Sequence, residues 1–175
     1  ASASAIGATA LGQGATASGG NSQALGKSSV ASSTAALAVG AWAAAEGRGS
    51  VALGASVSPN DRARATGSYA IAIGGGETGS EGAQAVGNRA IAIGNDASST
   101  GEYSVAMGRQ ALADGDLTTA MGANSSATGL NTTAVGQGTT ASGVQAAAFG
   151  SGAGASGTGA LAFGAFSQAR GNFST

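Results

Sequence analysis

The 175-residue chain has no cysteine and no histidine. Without cysteine there is no disulfide, no thiolate zinc site and no redox pair. Without histidine there is no Ser-His or Cys-His nucleophile and no imidazole-bound metal. Charged residues are scarce at 9%, and seven Lys+Arg stand against eight Asp+Glu. A net charge of −1 gives no basic field for nucleic acid. No apolar run approaches the roughly 18 residues of a membrane helix. No charged-then-apolar leader opens the chain, so no direct membrane contact by this stretch is expected. Large side chains are also rare: Leu, Ile, Val and Phe total 25, against 44 Ala and 33 Gly. Such a composition excludes an ordinary core of interlocked large side chains. No cofactor or metal is expected, and the chain reads as a non-enzyme.

What is present is a repeat. Aligning the chain on the tripeptide Ala-large-Gly gives a 14-residue period. Complete units run 13–26, 27–40, 41–54, 61–74, 81–94, 95–108, 109–122, 123–136, 137–150 and 151–164, with a partial unit at 165–175. Two six-residue insertions, 55–60 and 75–80, interrupt the frame, which resumes after each. Residues 1–12 fit the repeat only with irregular spacing. With each unit numbered 1 to 14, position 14 is always Gly and position 12 always Ala. Position 13 is always large and apolar: Leu25, Val39, Leu53, Ile73, Ile93, Met107, Met121, Val135, Phe149 and Phe163. Position 7 is Gly except for Ser33, and position 5 is Ala except for Ser99.

A glycine every seventh residue excludes a long helix, because each interior Gly costs about 1 kcal/mol relative to Ala. The half-unit suits a short strand and a glycine corner, giving two strands per coil. The expected fold is an all-β, parallel β-roll of eleven 14-residue coils, a single domain over 1–175. Successive coils would stack at about 4.8 Å.

Side chains alternate along a strand. In the first strand, positions 3 and 5 are all Ala, Ser or Thr, and positions 4 and 6 are mostly polar. The small set therefore faces inward. In the second strand the invariant Ala at 12 faces inward, so 11 and 13 point out. Position 13 is bulky throughout, and position 11 often is (Leu37, Val51, Ile71, Ile91, Val105, Leu161). No charged residue falls at positions 3, 5 or 10 to 13, as the cost of burying ionised groups requires. The outcome is an apolar wall outside the roll, larger than soluble monomers leave exposed. An alanine methyl inside the roll contributes about 0.8 kcal/mol. Ordering one residue's backbone costs about 1–2 kcal/mol. A lone roll is therefore marginal, and burial of the wall by self-association is expected to complete the fold. The sequence argues for association without fixing the number of copies.

The stretches SVALG (50–54), YAIAIG (69–74), RAIAIG (89–94) and YSVAMG (103–108) resemble the repeats of YadA-like heads of trimeric autotransporter adhesins. The resemblance covers nearly the whole chain. It implies a left-handed winding, a homotrimer, and a bacterial cell-surface location projected from the outer membrane. The family's neck, coiled-coil stalk and membrane anchor are not visible in this stretch. The implied function is attachment to host extracellular matrix, host cells or other bacteria by multivalent, non-catalytic binding. A passive spacer or surface-coat solenoid is the alternative. In that reading the trimer interface comprises Leu25, Val39, Leu53, Ile71, Ile73, Ile91, Ile93, Val105, Met107, Met121, Val135, Phe149, Leu161 and Phe163.

Candidate ligand contacts come from the corners. Five aromatics occupy positions 2 or 9, namely Trp42, Tyr69, Tyr103, Phe166 and Phe173, and exposed aromatics anchor protein ligands. Arg62 and Arg64 follow the first insertion and make the only cationic loop. Candidate ligand contacts are therefore Trp42, Arg62, Arg64, Tyr69 and Tyr103. Two G-x-G-x-x-G matches, at 74–79 and 152–157, lack the following helix that a dinucleotide site needs. Asp114 and Asp116 read as solvated corner residues.

Overall fold

A computed structural model describes Ala1–Thr175. Its first strands are two residues long and its second strands three. They form two wholly parallel sheets, of twelve and eleven strands, in which each strand pairs with the equivalent one a coil away. The chain is thus a parallel β-solenoid, as the glycine spacing predicts. The register steps by 14 residues, as in Ile93↔Met107. It steps by 20 in Ala44↔Arg64 and Gln84↔Arg64, where the two insertions lengthen adjacent coils.

One expectation is corrected at the start of the chain. Residues 1–12 are in regular phase, because Ser2 pairs with Thr16 and Thr9 with Gln23, each 14 residues on. They supply a twelfth coil. The irregular look of the sequence there has a local cause: Ala5 replaces glycine at position 7, and Gly7 falls at position 9.

Positions 3, 5, 10 and 12 are buried in all ten complete units and form the interior. Position 10 is therefore a fourth inward row. Its residues are Ala, Ser or Thr throughout, the same small set as the other three. The hydroxyls there satisfy the corner. Ser50 donates to the carbonyl of Gly47 at 2.7 Å, and Thr118 to that of Gly115 at 2.7 Å. Ser99, the exception at position 5, has a partner of the same kind: its hydroxyl meets that of Ser104 at 2.6 Å across the interior. This pair divides the alanine core into clusters of 17 and 14 buried residues. Buried hydroxyls cost stability unless paired, and here nearly all are paired. Ser22 is an exception.

Outside the two corners that carry the insertions, the corners are four-residue turns, many of them closed by a backbone bond from position 10 to 7, or from 3 to the preceding 14. Ser50 N–H to Gly47 O (3.2 Å) and Ala43 N–H to Gly40 O (3.2 Å) are examples. The third residue of these turns, position 9 or 2, has positive φ, the type II pattern. Fifteen non-glycine residues hold this conformation, including Trp42 (φ 66°) and Tyr69 (φ 58°). Glycine at position 7 is needed for a different reason. Its φ is ordinary, but a Cβ on Gly67 would lie 1.9 Å from the carbonyl oxygen of Gly87 in the next coil.

This contrast gives a matched test. Gly67→Ala should lower stability by about 2 kcal/mol or more, since the obstacle is backbone. Gly20→Ala meets nothing within 4 Å at an ordinary φ and should be neutral or slightly stabilising. Thermal melts of the two variants check both.

Candidate adhesive surfaces

The three-residue strands place two parallel rows on the outer face of the eleven-stranded sheet. Leu25, Val39, Leu53, Ile73, Ile93, Met107, Met121, Val135, Phe149 and Phe163 form one continuous row, one residue per coil. Ile71, Ile91, Val105 and Leu161 lie in the second, with Leu37 and Val51. No residue of either row is buried in the single chain. Ile73 is 36% exposed, and Phe163 78% at the end of its row. Phe149 and Phe163 stack with ring centroids 5.6 Å apart. Leu11 extends the first row by one coil at the start of the chain.

The opposite, twelve-stranded sheet presents mostly polar residues such as Thr16, Gln84, Ser126 and Thr140. The two outer faces thus differ in chemistry: one is largely apolar, the other largely polar.

At the corners the structure separates the predicted ligand contacts into three places. Tyr69 and Tyr103 share the position 9 column with Arg89 between them. The guanidinium carbon of Arg89 lies 5.8 Å from the Tyr69 ring centroid and 5.1 Å from that of Tyr103. Arg89 Nη1 also donates to the Tyr103 hydroxyl at 2.8 Å. Tyr69 and Tyr103 are half exposed. A column of this kind gains cation–π attraction and still offers ring edges to solvent. Arg89 is not among the sequence candidates. Its signal is its phase, because 69, 89 and 103 are all position 9.

Trp42 stands at position 2, on the other corner, half-buried, with its backbone N–H donating to Lys27 O at 2.8 Å. Phe166 and Phe173 lie against the preceding coil's glycines; a Cβ on Gly152 would be 2.7 Å from the Phe166 ring. These aromatics cover neighbouring corners.

The loop read as cationic is corrected. Arg64 donates twice to Glu46 Oε2, from Nε at 3.1 Å and Nη2 at 2.9 Å, and Arg62 Nη2 lies 3.5 Å from Glu46 Oε1. One carboxylate on the preceding coil holds both guanidinium groups. The sequence does not point to Glu46, because the 20-residue step hides the neighbourhood of residues 18 apart. The second insertion and the coil after it are also tied to the start of the coil after the first. Gly76 N–H donates to Asp61 O at 2.8 Å, and Gln84 Nε2 donates to Arg62 O at 3.0 Å.

Asp116 ties two coils together, since its Oδ1 accepts the Glu102 N–H at 2.8 Å. Asn88 and Asn172 do the same for Ser68 and Thr158, at 3.1 Å each. Asp114 accepts from the Thr100 hydroxyl. No group of three or more His, Cys, Asp or Glu side chains is placed to hold a metal ion. No helix is long and apolar enough to cross a membrane.

A repeat-built parallel solenoid with one apolar and one polar outer face is an elongated presentation module. The chain belongs to the YadA head domain repeat family, whose model matches residues 3–29, 31–56, 61–76, 81–97, 85–111, 99–125, 113–139, 127–153 and 155–175. That family is adhesin-like, surface-displayed and not known as enzymatic. Among solved structures, the collagen-binding domain of the Yersinia adhesin YadA is similar at 23% identity, with a TM-score of 0.46. That likeness covers 97% of this chain and 79% of the other. A sequence comparison with curated proteins gives no significant match.

Proposed function

We propose that this chain forms the head of a homotrimeric adhesin on a bacterial surface, projected from the outer membrane, and attaches to host matrix or cell-surface proteins. The carrying observation is the outer face of the eleven-stranded sheet, where a continuous row of large apolar residues runs beside a second row that is apolar at Leu37, Val51, Ile71, Ile91, Val105 and Leu161, none of them buried in the single chain. In this reading three left-handed rolls bury their apolar faces around one axis and turn their polar sheets outward. The interface is the set from Leu25 to Phe163 in the first row, with Ile71, Ile91, Val105 and Leu161 in the second. Trimerisation presents each surface feature three times. Linked weak contacts gain avidity of roughly 10²–10⁴ over one contact. No bond is made or broken.

Solid-phase binding of the assembled protein to collagens, fibronectin, laminin and cultured host cells tests the reading. Saturable binding to at least one is expected, and its loss on dissociation to single chains. Absence of binding to every one of them contradicts the adhesive role. The spacer reading then takes over, and one observation favours it: from Leu117 to Ala169 the chain has no charged residue to shape a partner's approach. Grafting the roll onto a non-adhesive stalk separates the two, because adhesion transferred with the roll excludes a pure spacer.

A further inference from the structure

The two insertions build the one hollow on the roll. Its volume is about 250 Å³, and it is lined by Pro59, Asn60, Arg62, Arg64, Glu81 and Gln84, with no hydrophobic side chain among them. The insertions fall on adjacent coils at the same corner; Pro59 and Asn60 come from the first, and Arg62, Arg64, Glu81 and Gln84 from the coils that follow the first and the second. Elsewhere the 14-residue coils stack too closely for such a depression.

The unused polar atoms of the hollow define what would fit. Arg64 spends Nε and Nη2 on Glu46, which leaves Nη1 free to donate. Gln84 spends its amide nitrogen on Arg62 O and Gly82 O, which leaves Oε1 free to accept. The side chains of Asn60 and Glu81 make no hydrogen bond within the chain, and both residues are exposed. Donors and acceptors are therefore interleaved. An anion would pair with the guanidinium but face the Glu81 carboxylate and the Gln84 oxygen. An ammonium group would face the opposite conflict. A hydroxyl both donates and accepts, so neighbouring hydroxyls on one ring satisfy both kinds of atom. The hollow is smaller than the roughly 300–1,000 Å³ of drug-sized sites, which limits it to a single ring. Glu46 and Glu81 together offset the two arginines, so charge gives no preference for an acidic sugar.

We infer that the hollow between the two insertions is a binding site for one uncharged sugar ring of a glycan, with Asn60, Glu81, Gln84 and Arg64 Nη1 as the hydrogen-bonding groups. The site is separate from the apolar face and from the Tyr69–Arg89–Tyr103 column. It does not depend on attachment to matrix proteins. One ring held by a few exposed hydrogen bonds binds weakly, so detection calls for repeated display.

The test uses the assembled protein and polymers carrying many copies of galactose, mannose, N-acetylglucosamine, sialic acid or glucuronic acid. Capture on at least one of the three neutral displays is expected. Asn60→Ala with Glu81→Ala should weaken it at least about tenfold, the equivalent of one lost hydrogen bond of about 1.4 kcal/mol. Neither side chain supports the fold, so the melting temperature should not change. Arg170→Ala, six coils further along the roll from Glu81, should leave capture intact. Three results would overturn the proposal: no capture on any neutral display, capture confined to the two acidic displays, or capture indifferent to the double variant. Matrix-protein binding measured on the same samples reports separately on the adhesive reading.

Discussion

Ile73→Asp combined with Ile93→Asp abolishes assembly, and with it most of the folded signal. The two side chains are register partners on adjacent coils of the exposed apolar row. Each substitution forfeits the roughly 1.5–3 kcal/mol that burying an isoleucine contributes. It also places an ionised carboxylate where an assembled interface must exclude water, at a cost of several kcal/mol each. Two stacked carboxylates repel one another as well. Sedimentation velocity with far-ultraviolet circular dichroism reads both consequences. Thr140→Asp, on the polar outer sheet, is the control and should leave both unchanged, as surface substitutions usually stay within about 0.5 kcal/mol. If the apolar row had no partner, Ile73→Asp with Ile93→Asp would behave like the control, and a retained oligomer would show that another face carries the contact.

Ala92→Leu tests the same phase from inside. Ala92 has no exposed surface and sits in register between Ala72 and Ala106. The added carbons have no void to enter, because the facing positions 3, 5 and 10 are also small and buried in every complete unit. Overpacking typically costs 1–3 kcal/mol, and about 3 kcal/mol or more is expected here. The rigid coil stacking leaves the backbone little room to adjust. The expected result is a large fall in melting temperature, or insoluble protein. An unchanged or raised melting temperature would mean that the interior has room for large side chains.

The phase of the roll was legible because the constraint is steric and repeats. Invariant Ala at position 12, glycine at 7 and 14, and an unbroken large residue at 13 admit only one alternation of faces. Position 10 was equally legible in its small residues, although its hydroxyls' role in closing the corner needed the turn geometry. Other features could not be read in this way. Positive φ at positions 2 and 9 is hidden by the residues that occupy them, since Trp42, Tyr69, Leu117 and Phe166 give no sign of a left-handed backbone. The type II turn and its ladder hold that conformation against the residue's own preference. Pairings across the insertions were also out of reach. Glu46 lies beside Arg62 and Arg64 on adjacent coils, and the six inserted residues hide that neighbourhood in the sequence. That pairing, with Glu81 nearby, turns an expected cationic loop into a polar hollow without net charge.

The uneven charge distribution has a consequence for attachment. Beyond Asp116 the only charged residue is Arg170, so those coils offer hydroxyls, amides and the exposed Leu117, Leu130 and Val144. The charged residues before them lie mainly at corners and around the insertions. Salt screens exposed ion pairs within about 8–10 Å at ordinary ionic strength. A ligand held by the uncharged coils would therefore be insensitive to salt.

The most direct measurement is the native mass of the protein in dilute solution, by light scattering on a size-exclusion column or native mass spectrometry. Burial of the Leu25-to-Phe163 row against sister chains predicts an oligomer, and the proposed homotrimer a species of three times the 16.0 kDa chain. A folded, soluble single chain that keeps this row in water would contradict it.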